Sequence, residues 1–337
     1  MSADKPEPIE RHLVYEKIVG ETGIWIADAD GSNPKLLVAE GEYHEISFPQ
    51  ISPDGTQVAY VGDCGSSHCT NAYVVSTSGG KPRRFASGIE GISWSPDSQR
   101  IVGVTWPSKE LLSVNVATGD EMKLARGDFW GWSISPDGEK VVFALEHGTE
   151  PQNHVFPRID LYVANLDGLG DPKPITTTGD SAYPVWGPKS IAFAKLIPSK
   201  QPSPNTEFAR NEIWRIQPDG TGRTTISGPL PDRFVEGYWH CIGLEPIDWS
   251  EDGSALLAAV DCEGIGQSVA VDPQTGAIRS LGEGTLTVAL SRDEKFALVQ
   301  WGDERVGTEH DKILIYPYAG GKPHIVAMGA VVPSWNR

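Results

Sequence analysis

The chain has 337 residues, of which 39% are hydrophobic and 22% charged, and its 37 glycines and 26 prolines are typical of a folded protein rich in turns. Its formal net charge of −17 repels phosphate backbones and anionic lipid headgroups, so neither nucleic acids nor membrane surfaces are expected as partners. No apolar run approaches the roughly 18 residues of a membrane span, and the polar start MSADKPEPIERH does not have the apolar core of a signal peptide. If the protein is exported, we expect its leader to be absent from this sequence.

Residues 1–11 are predicted to form an N-terminal arm and residues 12–337 a single domain. The domain opens with three predicted strands, HLVYEKIV from His12, GIWIADADGSN from Gly23 and KLLV from Lys35. Their β-branched and aromatic residues favour extended structure, and the polar residues and glycines between them favour turns. These segments correspond to strands two, three and four of a unit that lacks its first strand.

A turn motif then recurs along the chain, first in ISPDGTQVAYVG, which begins at Ile51. The residues in the place of Ser52, called anchors here, are Ser52, Ser95, Ser135, Gly187, Ser250 and Ser291. Each anchor follows one short predicted strand and precedes three more. Repeats of about 40 residues with four strands each are typical of β-propeller blades. Two turns, Gly187-Pro188-Lys189 and Ser291-Arg292-Asp293, depart from the motif.

The strand missing at the N-terminus is predicted at the other end of the chain. AVVPSWNR, from Ala330, aligns with SFPQIS, from Ser47, so that Trp335 corresponds to Ile51. The C-terminal strand would then complete the N-terminal blade and close the ring without a covalent bond. The predicted fold is therefore all-β: a seven-bladed β-propeller of four-stranded antiparallel blades, with six blades as the alternative.

The WSPDG-type repeat, each followed by a strand such as VVFAL, resembles the TolB-like branch of WD-type propellers. Segments such as IWIADADGSN with a leucine-ending strand add to the resemblance, which covers nearly the whole chain. The same propeller also occurs, without catalytic function, in prolyl oligopeptidase-like enzymes. The resemblance implies the fold, but it does not imply one function, because propellers serve in binding, scaffolding and catalysis.

The two faces of the predicted ring differ. The turns after strands one and three are short and share one face, the short-turn face. Long insertions fall between strands two and three or between blades, on the opposite, long-loop face: residues 146–158, 197–211, 227–246 and 302–311. Long loops on a rigid scaffold commonly carry binding residues, so the functional site is predicted on the long-loop face. The candidate ligand-binding residues are Trp130, His154, Phe156, Arg158, Arg210, Tyr238, Trp239 and His240.

A carboxylate lies five to eight residues before each anchor, in the links between blades. The six residues are Glu45, Glu90, Asp128, Asp180, Glu245 and Glu283. They are predicted to form an acidic ring at the mouth of the axial channel that attracts cations. No cofactor is expected to be required, but hard oxygen ligands of this kind suit a Ca²⁺ or Mg²⁺ ion at the channel.

Four cysteines form two locally plausible disulfide pairs, Cys64 with Cys69 and Cys241 with Cys262. Such pairs indicate an oxidising compartment, and the protein is therefore expected in the periplasm, at the cell surface or secreted. The alternative is a zinc site built from Cys64, His68 and Cys69, or from His240 and Cys241, although the spacings of known zinc motifs are missing.

The predicted function is a non-catalytic, exported TolB-like propeller that acts as a monomer and binds a protein, peptide or saccharide on the long-loop face. No GxSxG motif occurs, and seven blades leave no room for an α/β catalytic domain. The alternative is a metal-assisted hydrolase or lyase with its site at the channel mouth. Its candidate histidines on that face are His44, His147, His154, His240 and His310.

Overall fold

The structure is a computed structural model that describes residues 12–40, 46–63, 70–148, 157–197, 211–228, 230–231, 234, 241–262, 265–282, 285–291, 295–302 and 308–335. The predicted arm, residues 1–11, lies outside these ranges. Within them, seven four-stranded antiparallel sheets are arranged as the blades of a propeller, which confirms the predicted fold and the count of seven blades. None of the described residues lies in a helix with the length and apolarity of a membrane span.

The strands have the following bounds. Blade 1 combines β28 (Ala330–Trp335) with β1 (His12–Lys17), β2 (Gly23–Asp28) and β3 (Lys35–Ala39). Blade 2 has β4 (Ile46–Ile51), β5 (Gln57–Asp63), β6 (Thr70–Ser76) and β7 (Arg83–Ser87), and blade 3 has β8 (Ile89–Trp94), β9 (Arg100–Thr105), β10 (Glu110–Asn115) and β11 (Glu121–Arg126). Blade 4 has β12 (Phe129–Ile134), β13 (Lys140–Glu146), β14 (Ile159–Asn165) and β15 (Lys173–Pro174), and blade 5 has β16 (Ser181–Trp186), β17 (Ile191–Lys195), β18 (Glu212–Ile216) and β19 (Thr224–Thr225). Blade 6 has β20 (Cys241–Trp249), β21 (Leu256–Cys262), β22 (Ile265–Val271) and β23 (Ile278–Gly282), and blade 7 has β24 (Thr285–Leu290), β25 (Phe296–Trp301), a 3-10 helix (Thr308–His310), β26 (Lys312–Pro317) and β27 (His324–Met328).

The ring is closed as the sequence predicts. Strand β28 pairs antiparallel with β1, with Leu13 opposite Trp335 and Val14 opposite Ser334. The N–H of Ile51 in blade 2 donates to the hydroxyl of Ser334, so the closing strand also bonds to the next blade. The first and last described strands of the chain therefore share one sheet, and no covalent bond is needed to hold the ring.

The recurrent turn is a local hydrogen-bonded unit. The hydroxyl of Ser52 donates to the carboxylate of Asp54 at 2.6 Å and accepts the N–H of Gln57 at 3.0 Å. Gly55 has a φ of 72°, which glycine adopts without steric cost. The same serine-to-aspartate bond occurs at the anchors Ser95, Ser135 and Ser250. The hydrogen bond from Ser135 lowers the pKa of Asp137, so this turn is held by a carboxylate that stays charged near neutral pH.

The hydrophobic core lies between the blades. One cluster combines Ala59 and Val74 of blade 2 with Ile101 and Leu112 of blade 3, and equivalent clusters join the other neighbours. Tryptophans next to the anchors add bonds between blades. The indole N–H of Trp94 donates to the carbonyl of Gln50, and that of Trp249 to the carbonyl of Val185, in each case in the preceding blade.

The first strands of the blades lie innermost in the ring, and most of them have a bulge near the end that faces the channel mouth. Their third residues adopt a left-handed backbone in five blades, with positive φ at Phe48, Gly91, Gly131, Tyr183 and Val332. The antiparallel register shifts at the same places. A bulge of this kind re-aims side chains next to it, and here it does so at the mouth of the channel.

Candidate functional site

The described strands confirm which chain segments share a face. The N–H of Thr77 donates to the carbonyl of Thr56, and that of Leu166 to Glu139, so the turns after strands one and three lie side by side on the short-turn face. The four long insertions connect β13 to β14, β17 to β18, β19 to β20 and β25 to β26, which all join at the other face. Most of their residues lie outside the described ranges.

A cavity of about 410 Å³ lies at the axis of the ring. Every blade contributes a residue of its innermost strand to the lining: Gln50, Ser93, Ser133, Pro184, Asp248, Val288 and Ser334. The carboxylate of Asp248 accepts the N–H of Leu290 at 2.8 Å, and the hydroxyl of Ser133 accepts that of Trp186. Several polar side chains at the axis are thus engaged in holding neighbouring blades together.

A second cavity of about 510 Å³, called the mouth pocket here, opens on the long-loop face between blades 2, 3 and 4. The ends of innermost strands and the short link from β9 to β10 form its walls. Its lining includes the aromatic residues Phe48, Trp106 and Trp132 and the charged residues Glu90, Lys109 and Asp128. Of the two cavities, this one combines open aromatic surface with charged groups.

Phe48 presents its ring to solvent from a strained backbone. It occupies the bulge position of β4 with a φ of 55°, and the residue is 50% exposed. A left-handed backbone is an outlier for a bulky residue and costs about 1–3 kcal/mol. Because half of the residue is exposed, burial of the ring offsets little of this cost. Folding stability therefore does not explain why phenylalanine occupies this position.

Trp106 forms the second open aromatic surface, at 43% exposure, in the link from β9 to β10. The ammonium group of Lys109 lies 5.8 Å from the centre of its ring and also bonds to the carboxylate of Asp128. Both charged side chains are partly exposed, so the ion pair adds little stability. Its effect on the pocket is that the charge of Asp128 is compensated.

Glu90 and Trp132 complete the pocket. Glu90 is exposed, and no described residue bonds to its carboxylate. The Trp132 ring packs against Gly91, where an added Cβ would lie 2.9 Å from a ring carbon, so only glycine fits beside it. The indole N–H of Trp132 is buried and has no acceptor among the described residues. Trp132 lines both cavities and so separates the mouth pocket from the channel.

Four of the six residues of the predicted acidic ring are described, and the ring itself stays a prediction. Glu90 and Asp128 line the same pocket, whereas Glu45 and Glu283 lie outside the described residues. Asp180 pairs with Arg223 at 2.8 Å. Burial raises the pKa of Asp180, but hydrogen bonds from Thr178 and Arg223 outweigh burial and lower it overall. A cation entering the channel mouth would therefore find Asp128 and Asp180 already paired.

Glu245 has a partner on the neighbouring blade. It accepts a hydrogen bond from Tyr183, and burial, together with the charge of Glu245, raises the pKa of this phenol. Tyr183 stays protonated near neutral pH and can keep donating. Among the described residues, no group of three or more histidine, cysteine or acidic side chains is placed to hold a metal ion. The ion at the axial channel stays a prediction.

Two of the eight predicted ligand-binding residues are described, and neither lines the mouth pocket. Trp130 donates to Glu146 at 3.1 Å and packs edge-on against Tyr183, between blades 4 and 5. Arg158 is exposed and lies against Gly179. The other six lie outside the described residues: His154, Phe156, Arg210, Tyr238, Trp239 and His240.

One of the candidate histidines belongs to a described polar cluster. The Nε2 atom of His147 lies 3.1 Å from the hydroxyl of Tyr162 and 3.8 Å from the carboxylate of Asp160. Asp160 is buried and accepts bonds from Thr176 and the N–H of Gly179. His310 is exposed beside Glu309, and His44, His154 and His240 are outside the described part of the chain.

Phe48 and Trp106 are not among the residues predicted from the sequence. Those candidates come mainly from long insertions, whereas Phe48 lies in a strand and Trp106 in the short link TWPSKE. Phe48 precedes a proline at the third position of the innermost strand, where two other blades have glycine, Gly91 and Gly131. Because Tyr183 and Val332 are also large residues before a proline at this position, the sequence does not single out Phe48, and only the exposure of its ring in the structure does.

Solved structures of other proteins share this architecture at low sequence identity. An oligogalacturonate lyase in complex with manganese matches with a TM-score of 0.65 and 17% identity over 95% of this chain and 86% of that chain. TolB from Acinetobacter baumannii matches with a TM-score of 0.55 and 14% identity over 97% and 83% of the two chains. The β-propeller domain of the Trilobed protease from Pyrococcus furiosus gives 0.63 and 13% over 94% and 93%.

No protein-family model matches the chain. At these identities the similarity concerns the fold, and the three proteins differ in what they do. This similarity, together with the seven described sheets and the closing strand, confirms the predicted resemblance at the level of the fold. The chain has a TolB-like β-propeller fold.

Proposed function

We propose that the chain is a non-catalytic propeller that binds a protein or peptide at the mouth pocket; a saccharide is the other ligand class that its aromatic rings suit. The observation that supports this most directly is the pair of open aromatic side chains, Phe48 and Trp106, on the walls of one pocket. Aromatic residues supply large contact area and are enriched where proteins bind partners. The strained backbone at Phe48 adds support, because strain without a packing benefit is typical of functional sites.

The test separates binding from folding through the strain at Phe48. Phe48→Gly removes the exposed ring and suits the left-handed backbone, so we expect its melting temperature to equal or exceed that of the wild type. Combined with Trp106→Ala, it is expected to weaken ligand binding about tenfold or more, as the loss of two interface aromatics does. Binding would be measured with arrays of peptides and neutral glycans on the full chain.

Leu169→Ser is the matched control for this experiment. Leu169 is 69% exposed and lies in a turn of the short-turn face, so the change removes apolar surface far from the pocket. Its binding should equal that of the wild type. Ligands that bind equally well to the Phe48 and Trp106 double variant would place the binding surface elsewhere and contradict the proposal.

We also propose that the protein works in the periplasm, at the cell surface or outside the cell. Support comes from the register of blade 6, where the α-carbons of Cys241 and Cys262 are direct cross-strand partners, a placement that a disulfide can bridge. Cys64 and Cys69 lie outside the described residues. Mass spectrometry of the unreduced protein, isolated from the cells that produce it naturally, is expected to find peptides linked through Cys241 and Cys262. Free, alkylatable thiols at both positions would argue against export.

A metal-assisted hydrolase or lyase is the second candidate. One of the structurally similar proteins is an oligogalacturonate lyase in complex with manganese, and the cluster of His147, Tyr162 and Asp160 lies on the long-loop face. This candidate requires a third ligand from residues that the structure does not describe. Titration with Mn²⁺, Ca²⁺ and Mg²⁺ tests this candidate. A melting temperature that rises with one of these ions in the wild type, but not in the His147→Gln variant, would favour it over simple binding.

A further inference from the structure

We propose that the mouth pocket takes a lysine or arginine side chain of a protein partner, with Glu90 as the ion-pairing group. This inference rests on the proposed function and specifies its ligand. The partner would therefore present an exposed basic residue to blades 2, 3 and 4.

The charges of the pocket leave one carboxylate without a counterion. Among the described residues, three charged side chains line it, and Lys109 bonds to Asp128, which leaves Glu90. No described residue bonds to the Glu90 carboxylate, and the residue is exposed at the start of β8. The described lining thus carries a net charge of about one negative unit, which a single guanidinium or ammonium group would neutralise.

The aromatic walls suit the same ligand. A cation is attracted to the face of an aromatic ring within about 6 Å of its centre. The pocket already shows this geometry, since the ammonium of Lys109 lies 5.8 Å from the centre of the Trp106 ring. Phe48, half exposed on the same pocket, offers a second ring that no described cation contacts. The methylene groups of a long basic side chain would also cover this apolar surface.

The field of the whole chain favours the same choice. A net charge of −17 attracts basic partners and repels acidic ones, including polyanionic saccharides such as oligogalacturonate. A neutral sugar would stack on the rings equally well, but it would not neutralise Glu90. Among the ligand classes of the proposed function, a basic protein segment uses both the charge and the aromatic surface.

The experiment is a selection of random heptapeptides displayed on phage against the full chain, followed by synthesis of the selected peptides. We expect lysine or arginine to be enriched at one position. Glu90→Gln, which keeps the size of an exposed side chain, should weaken these peptides about tenfold and reduce the salt dependence of binding. Replacing the basic residue with citrulline should have the same effect on the wild type and almost none on the Glu90→Gln variant.

Glu309→Gln is the charge-matched control, because Glu309 is an exposed acid at the same face of blade 7, away from the pocket. Its affinity should stay within about twofold of the wild type, since exposed distant charges are screened. Peptides that depend on Phe48 and Trp106 but lack a basic residue, or are unaffected by Glu90→Gln, would overturn the inference and leave the proposed function standing. Neutral glycans binding at the pocket in place of peptides would also overturn it. Selection of no peptide or glycan dependent on the pocket would overturn both.

Discussion

Replacing Trp335 with alanine is expected to lower the free energy of unfolding by about 3–5 kcal/mol, the cost of truncating a buried tryptophan. Trp335 lies in the strand that closes the ring, it is 7% exposed, and its indole N–H donates to the carbonyl of Ala29. It belongs to a core cluster with Leu13 of blade 1 and Ile313 of blade 7. The change therefore loosens β28 against both neighbours at the seam of the ring, where only noncovalent contacts hold the two chain ends together.

Urea unfolding followed by tryptophan fluorescence and circular dichroism measures this loss. Trp106→Ala is the matched control, because it removes the same side chain from an exposed position and is expected to cost less than about 0.5 kcal/mol. A similar small cost at Trp335 would show that β28 does not contribute to ring closure. Two separate unfolding transitions in the variant would instead indicate that blade 1 opens before the rest.

Gly187→Ser restores the serine that five other anchors have, yet we expect it to destabilise the fold by about 1–3 kcal/mol, the cost of inserting atoms into a packed core. A Cβ at Gly187 would lie 2.7–2.9 Å from three ring carbons of Trp249, which is nearly buried. The ring is held by its bond to the carbonyl of Val185 in the preceding blade. Moving it away would open the contact between blades 5 and 6.

Gly187→Ala isolates the effect of the Cβ and should show most of the loss in the same urea measurement. Gly228→Ala is the control, since no heavy atom lies within 4 Å of an added Cβ there, and its free energy of unfolding should change by less than about 0.5 kcal/mol. A Gly187→Ser variant as stable as the wild type would mean that Trp249 can shift at little cost. The departure of this turn from the repeat would then have no packing reason.

The fold followed from the sequence because its defining interactions are short-range and repeated. In each regular turn an anchor serine, an aspartate two residues later and a residue with positive φ bond within a few positions, so one pattern predicts each blade. The closing strand pairs residues more than 300 positions apart, but it was still predictable, since AVVPSWNR repeats the innermost strand of a blade.

Only the tertiary structure decided where the candidate site lies and which of its charges are free. Phe48, Glu90, Trp106 and Asp128 come from three blades, and no spacing in the chain shows that they share a pocket. The position of Asp180 before an anchor predicts an acid of the channel mouth, but its partner Arg223 lies 43 residues away, which no spacing in the chain shows. Local hydrogen bonds and periodicity depend on residues that are close together in the chain. A pocket and its net charge depend instead on which distant side chains the closed ring brings together.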